Sequence, residues 1–557
     1  MFCPEGAVLR LSGSLRACFV RIRQILCQFI YCDGIKIIRG DFFLWGYVYS
    51  GVLRGIDGCL VRVEADAGPG LPYFEMVGFL ASEVREAKER VRAALRNAGI
   101  RLPAMRITVN LSPANVRKSG NYFDLPVAAA VLSSLGFCSQ ERLNGVMMAG
   151  ELGLDGGVRP VAGILPLVWA ARNAGVCRCV VPEANAAEAG LLEGIRVTGV
   201  RSLKELLSML EGGWPALPED AEKAIVQTEE RHPESPDFSD VNGQLLMRRA
   251  TEIAAAGMHN ILYIGPPGAG KSMTARRIPG ILPALSREES LEITRIYSAA
   301  GLLSEKSPLM NSRPFRAPHY SLTRQAMTGG GRIPKPGEIS LAHRGVLFLD
   351  ELTEFRGEVL EALRQPMEDG KVVISRVHDC YCFPARAMVA ASMNPCPCGF
   401  YPDREKCSCR DEEVRHYLRR VSRPFLDRMD LCLEVRKPEF HEMTAWKKNE
   451  SSGEIRKRVE RCRQVQKRRY KDEIGILFNS QLDSRELARF CSLEKEEKKL
   501  AEKLYEQMDL SARAYGKLLK VARTIADLEG EERIRSRHLC EAVSYRLAQS
   551  SVWGGRI

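Results

Sequence analysis

Ile261-Leu262-Tyr263-Ile264-Gly265-Pro266-Pro267-Gly268-Ala269-Gly270-Lys271-Ser272 opens on four apolar residues, turns through glycines and prolines, and ends on a lysine and a serine. The apolar run predicts a short buried strand, and the residues after Ser272 predict a helix. Strand, glycine-rich turn and helix in that order are the context a phosphate-binding loop requires. The glycines let backbone N–H groups wrap phosphates. Lys271 brings a cation to the β- and γ-phosphates, and the Ser272 hydroxyl helps to hold Mg²⁺. The helix N-terminus adds its dipole. The expected ligands are therefore ATP and Mg²⁺, bound by Gly265, Pro266, Pro267, Gly268, Ala269, Gly270, Lys271 and Ser272.

Four later segments offer the remaining parts of such a site. Gly345-Val346-Leu347-Phe348-Leu349-Asp350-Glu351 reads as a buried strand ending in two acids. Asp350 would orient Mg²⁺, and Glu351 would polarise the attacking water, a general-base role worth about 10²–10⁴ in rate. Ala387 to Met393 reads as another strand, and Asn394 follows it. That asparagine either positions water opposite the γ-phosphate or simply turns the chain before Pro395. Arg428 precedes a further strand and Arg513 lies in a helical region; the residues alone leave both as either functional or surface arginines.

At 557 residues the chain is expected to form about three or four domains. Its 45% hydrophobic and 27% charged residues describe a globular protein rather than a disordered or fibrous one. The net charge of +12 suits a polyanionic partner without demanding one. The 18 cysteines are scattered and no secretory signal precedes them, so reduced thiols and a cytoplasmic location are expected. No stretch is long and apolar enough to span a bilayer. Residues 1–45 look unlike the rest and read as an extension or a misassigned start. From about 46 to 210 strand-like and helix-like stretches alternate. Leu60–Ala65 and Arg106–Leu111 read as strands, and Ser82–Ala98 as a helix capped by Ser82 with Glu86/Arg90 four apart. Residues 211–240 carry glycines, prolines and acids and read as a linker. An α/β unit over 241–435 and a helical remainder over 436–557 complete the division.

The chain resembles the YifB/ComM family of magnesium-chelatase-like AAA+ ATPases from about Tyr47 onward. The residues that carry the likeness include Gly55-Ile56-Asp57-Gly58, Arg106 to Ala114, Phe123-Asp124-Leu125-Pro126, Arg313 to His319, Pro336 to His343, Asn394 to Gly399 and Ser511 to Tyr515. The resemblance implies a P-loop AAA+ α/β core and a C-terminal helical lid. It makes Asn394 a sensor residue, Arg428 an arginine finger reaching a neighbour's γ-phosphate, and Arg513 a second sensor on the lid. A finger acting in trans implies a ring, and the resemblance implies a hexamer.

The N-terminal part is similar to the Lon-protease catalytic domain, an α+β fold, but lacks its chemistry. Leu165-Pro166-Leu167 follows the stretch that would precede the lysine, and Asn121-Tyr122-Phe123-Asp124 stands where a serine nucleophile belongs. Lys118 and Ser119 lie nearby at the wrong spacing, and a serine without a base is a poor nucleophile.

For the motor's substrate, two candidate pore segments stand out. The loop from Phe315 to Pro336 carries Arg324, Arg332 and Lys335, and the hairpin from Asp369 to Phe383 carries Lys371, Arg376 and His378. Each either tracks a phosphate backbone or is an ordinary solvated loop. The basic stretch Lys447–Lys471 either faces DNA or, with Val459, Cys462 and Val465 interleaved at helical spacing, is a helix with one buried stripe and a solvated face. Cys396, Cys398, Cys407 and Cys409 offer four sulfurs for a structural Zn²⁺, or are reduced surface thiols. The resulting expectation is an ATPase acting on single-stranded or branched DNA, by helicase or branch-migration work in recombination of incoming DNA. A chelatase-like ATPase that remodels a protein partner is the alternative.

Overall fold

In a computed structural model the described residues are 45–215, 236–304, 307–376, 379–438, 449–473 and 475–553. The extension 1–44, the linker residues 216–235, His378 and Lys447 lie outside them.

The first unit is a seven-stranded sheet in the order β3-β4-β2-β1-β5-β6-β7. Its strands are β1 (Trp45–Arg54), β2 (Asp57–Gly68), β3 (Tyr73–Val77), β4 (Arg106–Ser112), β5 (Val146–Met148), β6 (Arg178–Pro182) and β7 (Arg196–Val200). The strands expected over 60–65 and 106–111 fall inside β2 and β4. Alternation decides the faces: Val48 and Val52 of β1 join one core, whereas Tyr49 and Leu53 join the other. Helix α2 (Asp124–Ser134) fills the first core and is buried along its whole length. Helix α3 (Ile164–Asn173) fills the second.

The helix expected over Ser82–Ala98 is in two pieces, Ser82–Arg85 and α1 (Ala87–Asn97). Ser82 lies inside the first turn rather than capping it. Arg90 does not pair with Glu86 but donates Nε and Nη2 to the two oxygens of buried Asp124 at 2.7 and 2.9 Å. A bidentate bond to a desolvated carboxylate outweighs an exposed pair four residues away.

The second unit holds a five-stranded sheet, every neighbouring pair parallel, in the order β9-β10-β13-β8-β14. These strands are β8 (Ile261–Ile264), β9 (Phe315–Arg316), β10 (Val346–Leu349), β13 (Met388–Met393) and β14 (Leu431–Glu434). Helix α4 (Leu245–Gly257) precedes β8, and α5 (Lys271–Ala275) and α6 (Arg287–Ala300) follow it. Helix α7 (Gly357–Asp369) leads into an antiparallel hairpin of β11 (Lys371–Ser375) and β12 (Cys380–Pro384). Strands β8, β10 and β13 are buried on both faces, as a covered parallel sheet requires. Ile261, Tyr263, Phe348 and Ala390 face one core, and Leu262, Ile264, Leu349 and Val389 the other.

The C-terminal helices are α8 (Ser452–Arg469), α9 (Lys495–Gln507), α10 (Ala512–Glu529) and α11 (Ser536–Trp553). Ile455, Val459 and Cys462 of α8, and Leu518, Val521 and Ile525 of α10, share the core that contains Tyr263. These helices are thus held on the sheet by apolar burial. The two sheets are also joined. Arg295 of α6 donates Nε to Ile56 O in the β1–β2 turn at 2.9 Å and pairs with Asp57 at the start of β2. Arg54 at the end of β1 pairs with Asp379 at the tip of the β11–β12 hairpin.

Candidate functional site

Strand order places the expected chemistry on one edge of the parallel sheet. Gly265, Asp350 and Asn394 each follow directly on the last residue of β8, β10 and β13, and these strands are neighbours. Ligands of open parallel sheets gather at such carboxyl ends. Gly265 has no room for a side chain, because a Cβ there would meet Val435 O at 2.3 Å. Gly268 and Gly270 take φ of +75° and +84°, which glycine adopts without strain.

Lys271 is buried, and its Nζ donates to Gly265 O at 2.5 Å, Pro266 O at 2.9 Å and Asn394 Oδ1 at 3.1 Å. Burial lowers its ammonium to about 8, with Asp350 opposing the shift. Asp350 Oδ1 accepts the Ser392 hydroxyl at 2.5 Å and the Glu351 N–H at 3.2 Å. Glu351 is exposed and sits at φ +54°, ψ +53°, a conformation unusual for a side chain of its kind. Non-glycine residues held in this region cluster at functional sites. Ser272 lies one residue into α5, partly exposed. One ammonium, two carboxylates, a hydroxyl and an amide oxygen form a donor set that fits a polyphosphate with a divalent cation.

The two expected arginines are elsewhere. Arg428 precedes β14, whose parallel register with β8 runs Ile261↔Leu431 to Ile264↔Glu434. It therefore lies at the amino edge of the sheet, about 10 Å of strand away from the phosphate loop's edge. Asn260, the residue before β8, confirms this by bonding Asp430 and Arg428 O at 2.9 and 3.0 Å. Arg513, in the first turn of α10, reaches the same place. Its Nη2 is 4.0 Å from Glu368 Oε1, the oxygen that Arg428 Nη2 meets at 2.7 Å. Glu368, Arg386, Arg428, Arg513 and Lys517 line one cleft of about 700 Å³.

In the wall of this cleft Asp430 is buried and pairs with Lys517 Nζ at 2.9 Å, while His259 Nδ1 lies 3.6 Å away. Burial alone would raise its carboxyl, but Lys517 and His259 hold it far below the usual carboxylate range. The pair ties α10, and with it Arg513, to β14.

Cys396, Cys398, Cys407 and Cys409 converge with all four sulfurs within 4.8 Å of one another. The separations Cys396–Cys398, Cys398–Cys407 and Cys396–Cys407 are 3.3, 3.6 and 3.8 Å. Tetrahedral Zn–S bonds of about 2.3 Å place sulfurs roughly 3.8 Å apart, so the set fits that ion. Two backbone N–H groups, of Gly399 and Tyr401, already donate to Cys396 Sγ. The loop also abuts the phosphate loop: a Cβ on Gly399 would meet Pro267 Cδ at 2.5 Å.

The two basic segments meet as well. Arg376 Nη2 donates to Gly331 O at 2.9 Å, linking the β11–β12 hairpin to the short ribbon of Gly329–Gly330 and Lys335–Pro336. In α8, Ile455, Val459, Cys462 and Gln466 are buried, while Lys457, Arg461 and Arg468 are exposed. The stretch is thus a helix with one buried apolar stripe and a solvated basic face. Lys118 in the first unit is fully buried and donates Nζ to Pro113 O, so no ammonium is presented to a nucleophile there.

Sequence reasoning missed Ser392, Glu368 and the joint between the β1–β2 turn and the hairpin. Ser392 was detectable as the one hydroxyl in an apolar strand. Glu368 carries no signal, being one exposed acid beside another.

Comparison with known proteins agrees along the chain. The family models described as "Magnesium chelatase, subunit ChlI", "Subunit ChlI of Mg-chelatase" and "Magnesium chelatase, subunit ChlI C-terminal" match residues 237–443, 63–185 and 449–546. The chain is 40% identical to competence protein ComM of Haemophilus influenzae over 504 residues, covering 90% of this chain and 97% of that protein. It is 41% identical to the YifB protein of Escherichia coli over 500 residues, covering 90% and 96%. A more distant relative, the magnesium-chelatase 38 kDa subunit of Cereibacter sphaeroides, is 26% identical over 217 residues, covering 36% and 59%. With a sheet of AAA+ type and relatives matched over nearly their whole length, the chain belongs to the YifB/ComM family of magnesium-chelatase-like AAA+ ATPases.

Proposed function

We propose that the chain is a cytoplasmic ATP-hydrolysing ring motor that moves on DNA, with helicase or branch-migration activity in recombination of incoming DNA. The observation that carries this reading is the division of charge between the two edges of one sheet. Lys271, Asp350, Glu351 and Asn394 stand on one edge, and Arg428 and Arg513 on the other. In a subunit built this way Arg428 and Arg513 stand at the edge opposite its own phosphate loop. Subunits stacked head to tail, edge against edge, complete one another's sites, and such heterologous contacts close into rings; a hexamer is the ring we expect.

In this reading Lys271 and the 265–272 backbone hold the phosphates of ATP. Ser272 and Asp350 hold Mg²⁺, which supplies charge neutralisation at the β- and γ-phosphates when bound. Glu351 takes the proton of the attacking water, and Asn394 orients that water. Arg428 and Arg513 of the neighbouring subunit meet the γ-phosphate. The four cysteines hold a structural Zn²⁺ that staples the Asn394 loop against Pro267. The first unit keeps a Lon-like fold without proteolytic chemistry, and the C-terminal helices act as the lid.

DNA is favoured by the exposed Arg332, Lys335 and Lys371 on two linked loops and by a competence protein among the close relatives. A magnesium-chelatase subunit among the relatives favours the second reading, in which the ring remodels a protein partner. The test is the steady-state ATPase rate alone and with single-stranded, duplex and four-way-junction DNA, with Glu351→Gln as blank. Several-fold stimulation that fades with added salt is expected for a DNA motor. A rate indifferent to every DNA form would reject it in favour of remodelling.

A further inference from the structure

One carboxylate joins the arginine cleft to the hairpin proposed to meet DNA. Arg428 donates Nε to Arg364 O at 2.9 Å and Nη1 to Pro424 O at 2.6 Å, and its Nη2 pairs with Glu368 Oε1 at 2.7 Å. Among these acceptors only Glu368 is charged. Its side chain is 45% exposed, whereas that of Arg428 is 10% exposed, so the carboxylate stands over the guanidinium at the mouth of the cleft. Arg513 Nη2 lies 4.0 Å from the same oxygen. Two cations focused on one anionic oxygen is the arrangement a terminal phosphate would be given.

Glu368 is also placed to report its own displacement. It lies in the last turn of α7, three residues before β11 begins at Lys371. Pro366 in that turn has no N–H to bond back to the helix, which loosens the turn from the rest of α7. Gly370 follows at φ +65°, and the hairpin starts at once. At its far end the hairpin is held by Arg376 to Gly331 O and by Asp379 to Arg54. A shift of the 367–369 turn therefore passes directly into β11.

We infer that Glu368 is a positioning residue that occupies the place of a neighbour's γ-phosphate and links the ring's nucleotide state to the 371–384 hairpin. The inference rests on the reading that Arg428 acts in trans. A γ-phosphate reaching Arg428 brings a second anion to a site that already holds one. Like charges at this distance repel, and Arg428 Nη2 exchanges its carboxylate for phosphate. Glu368 then swings out with its turn and moves the hairpin. Loss of the phosphate lets the pair re-form.

Amide hydrogen exchange of the ring, with and without a non-hydrolysable ATP analogue, tests this without needing DNA. In the wild type, exchange in peptides covering 370–384 is expected to change about threefold or more when the analogue binds. In Glu368→Gln the hairpin should exchange equally with and without it, while peptides over 264–275 still respond, showing that the analogue is bound. Glu368→Asp should restore the hairpin response. A wild-type hairpin that ignores the analogue, or a Glu368→Gln hairpin that responds as the wild type does, would overturn the inference. Steady-state hydrolysis by Arg428→Ala is measured beside it. Loss of turnover there with an unaltered Glu368→Gln response would sink this inference alone, whereas full turnover would sink the trans reading beneath it.

Discussion

A Lys271→Ala subunit keeps the arginine cleft but cannot hold the phosphates of ATP. An Arg428→Ala subunit keeps the phosphate loop but lacks its cleft arginine, and each should be inactive alone. If every site is formed by the loop of one subunit and the cleft of the next, mixing the two creates some complete sites. In a random equal mixture a given interface takes its loop from an Arg428→Ala subunit and its cleft from a Lys271→Ala subunit with a chance of about one quarter, so phosphate release should recover to about one quarter of the wild-type rate. The structure makes a sharper claim, because Arg428 and Arg513 lie at the same edge and share Glu368. A mixture of Arg428→Ala with Arg513→Ala should therefore recover nothing, since no single subunit then presents both arginines. Were Arg513 to serve its own subunit's loop, that second mixture would also reach about one quarter. Wild type mixed with Lys271→Ala should fall to about one half and serves as the control for subunit exchange. With exchange shown, zero recovery in the first mixture would refute action in trans, and recovery in the second would refute the shared edge.

The other predictions concern single sites. Glu351→Gln should bind ATP as tightly as the wild type in a fluorescent-nucleotide titration yet hydrolyse it about 10²–10⁴ times more slowly, and wild-type turnover would remove Glu351 from the base role. The cysteine loop should carry one zinc per chain by elemental analysis; Cys396→Ser should lose it and, through the Gly399–Pro267 contact, slow hydrolysis, whereas a metal-free but fully active wild type would rule out the staple. Lys517→Met leaves Asp430 buried without its cation, a change that typically costs about 3–5 kcal/mol and should be visible in the thermal midpoint; adding Asp430→Asn should restore part of the loss, and strict additivity would deny the pairing. Asp430 is held below the carboxylate range, so its stabilisation is complete above the unfolded value of ~3.9 and is lost as pH falls; acid unfolding should be steeper with pH in the wild type than in Lys517→Met below about pH 4.

That the glycine-rich 265–272 loop and the acids Asp350 and Glu351 belong to one edge was legible because their patterns are local. Glycines at the loop, four apolar residues before it, and two acids after another apolar run are patterns within a dozen residues, and the fold places them by extending each strand. The cysteines were legible as a set for the same reason, although only folding brings four sulfurs within 4.8 Å. The Glu86–Arg90 pair failed because spacing along one helix cannot anticipate Asp124, which recruits Arg90 from 34 positions away in the chain.

What the sequence alone determined is the identity of the groups: a P-loop, a pair of acids, a polar strand end, two arginines and the family to which their spacing belongs. Which edge of the sheet each group occupies was decided by strand order. Arg428 precedes its strand while Gly265, Asp350 and Asn394 follow theirs, and only the parallel register of β8 with β14 turns that difference into opposite edges. The placement of Arg513 beside Arg428 depends on the buried Asp430–Lys517 pair and on the apolar face of α10, contacts between residues about 90 positions apart. No pattern along the chain encodes them, because burial and charge pairing are satisfied in space rather than in sequence.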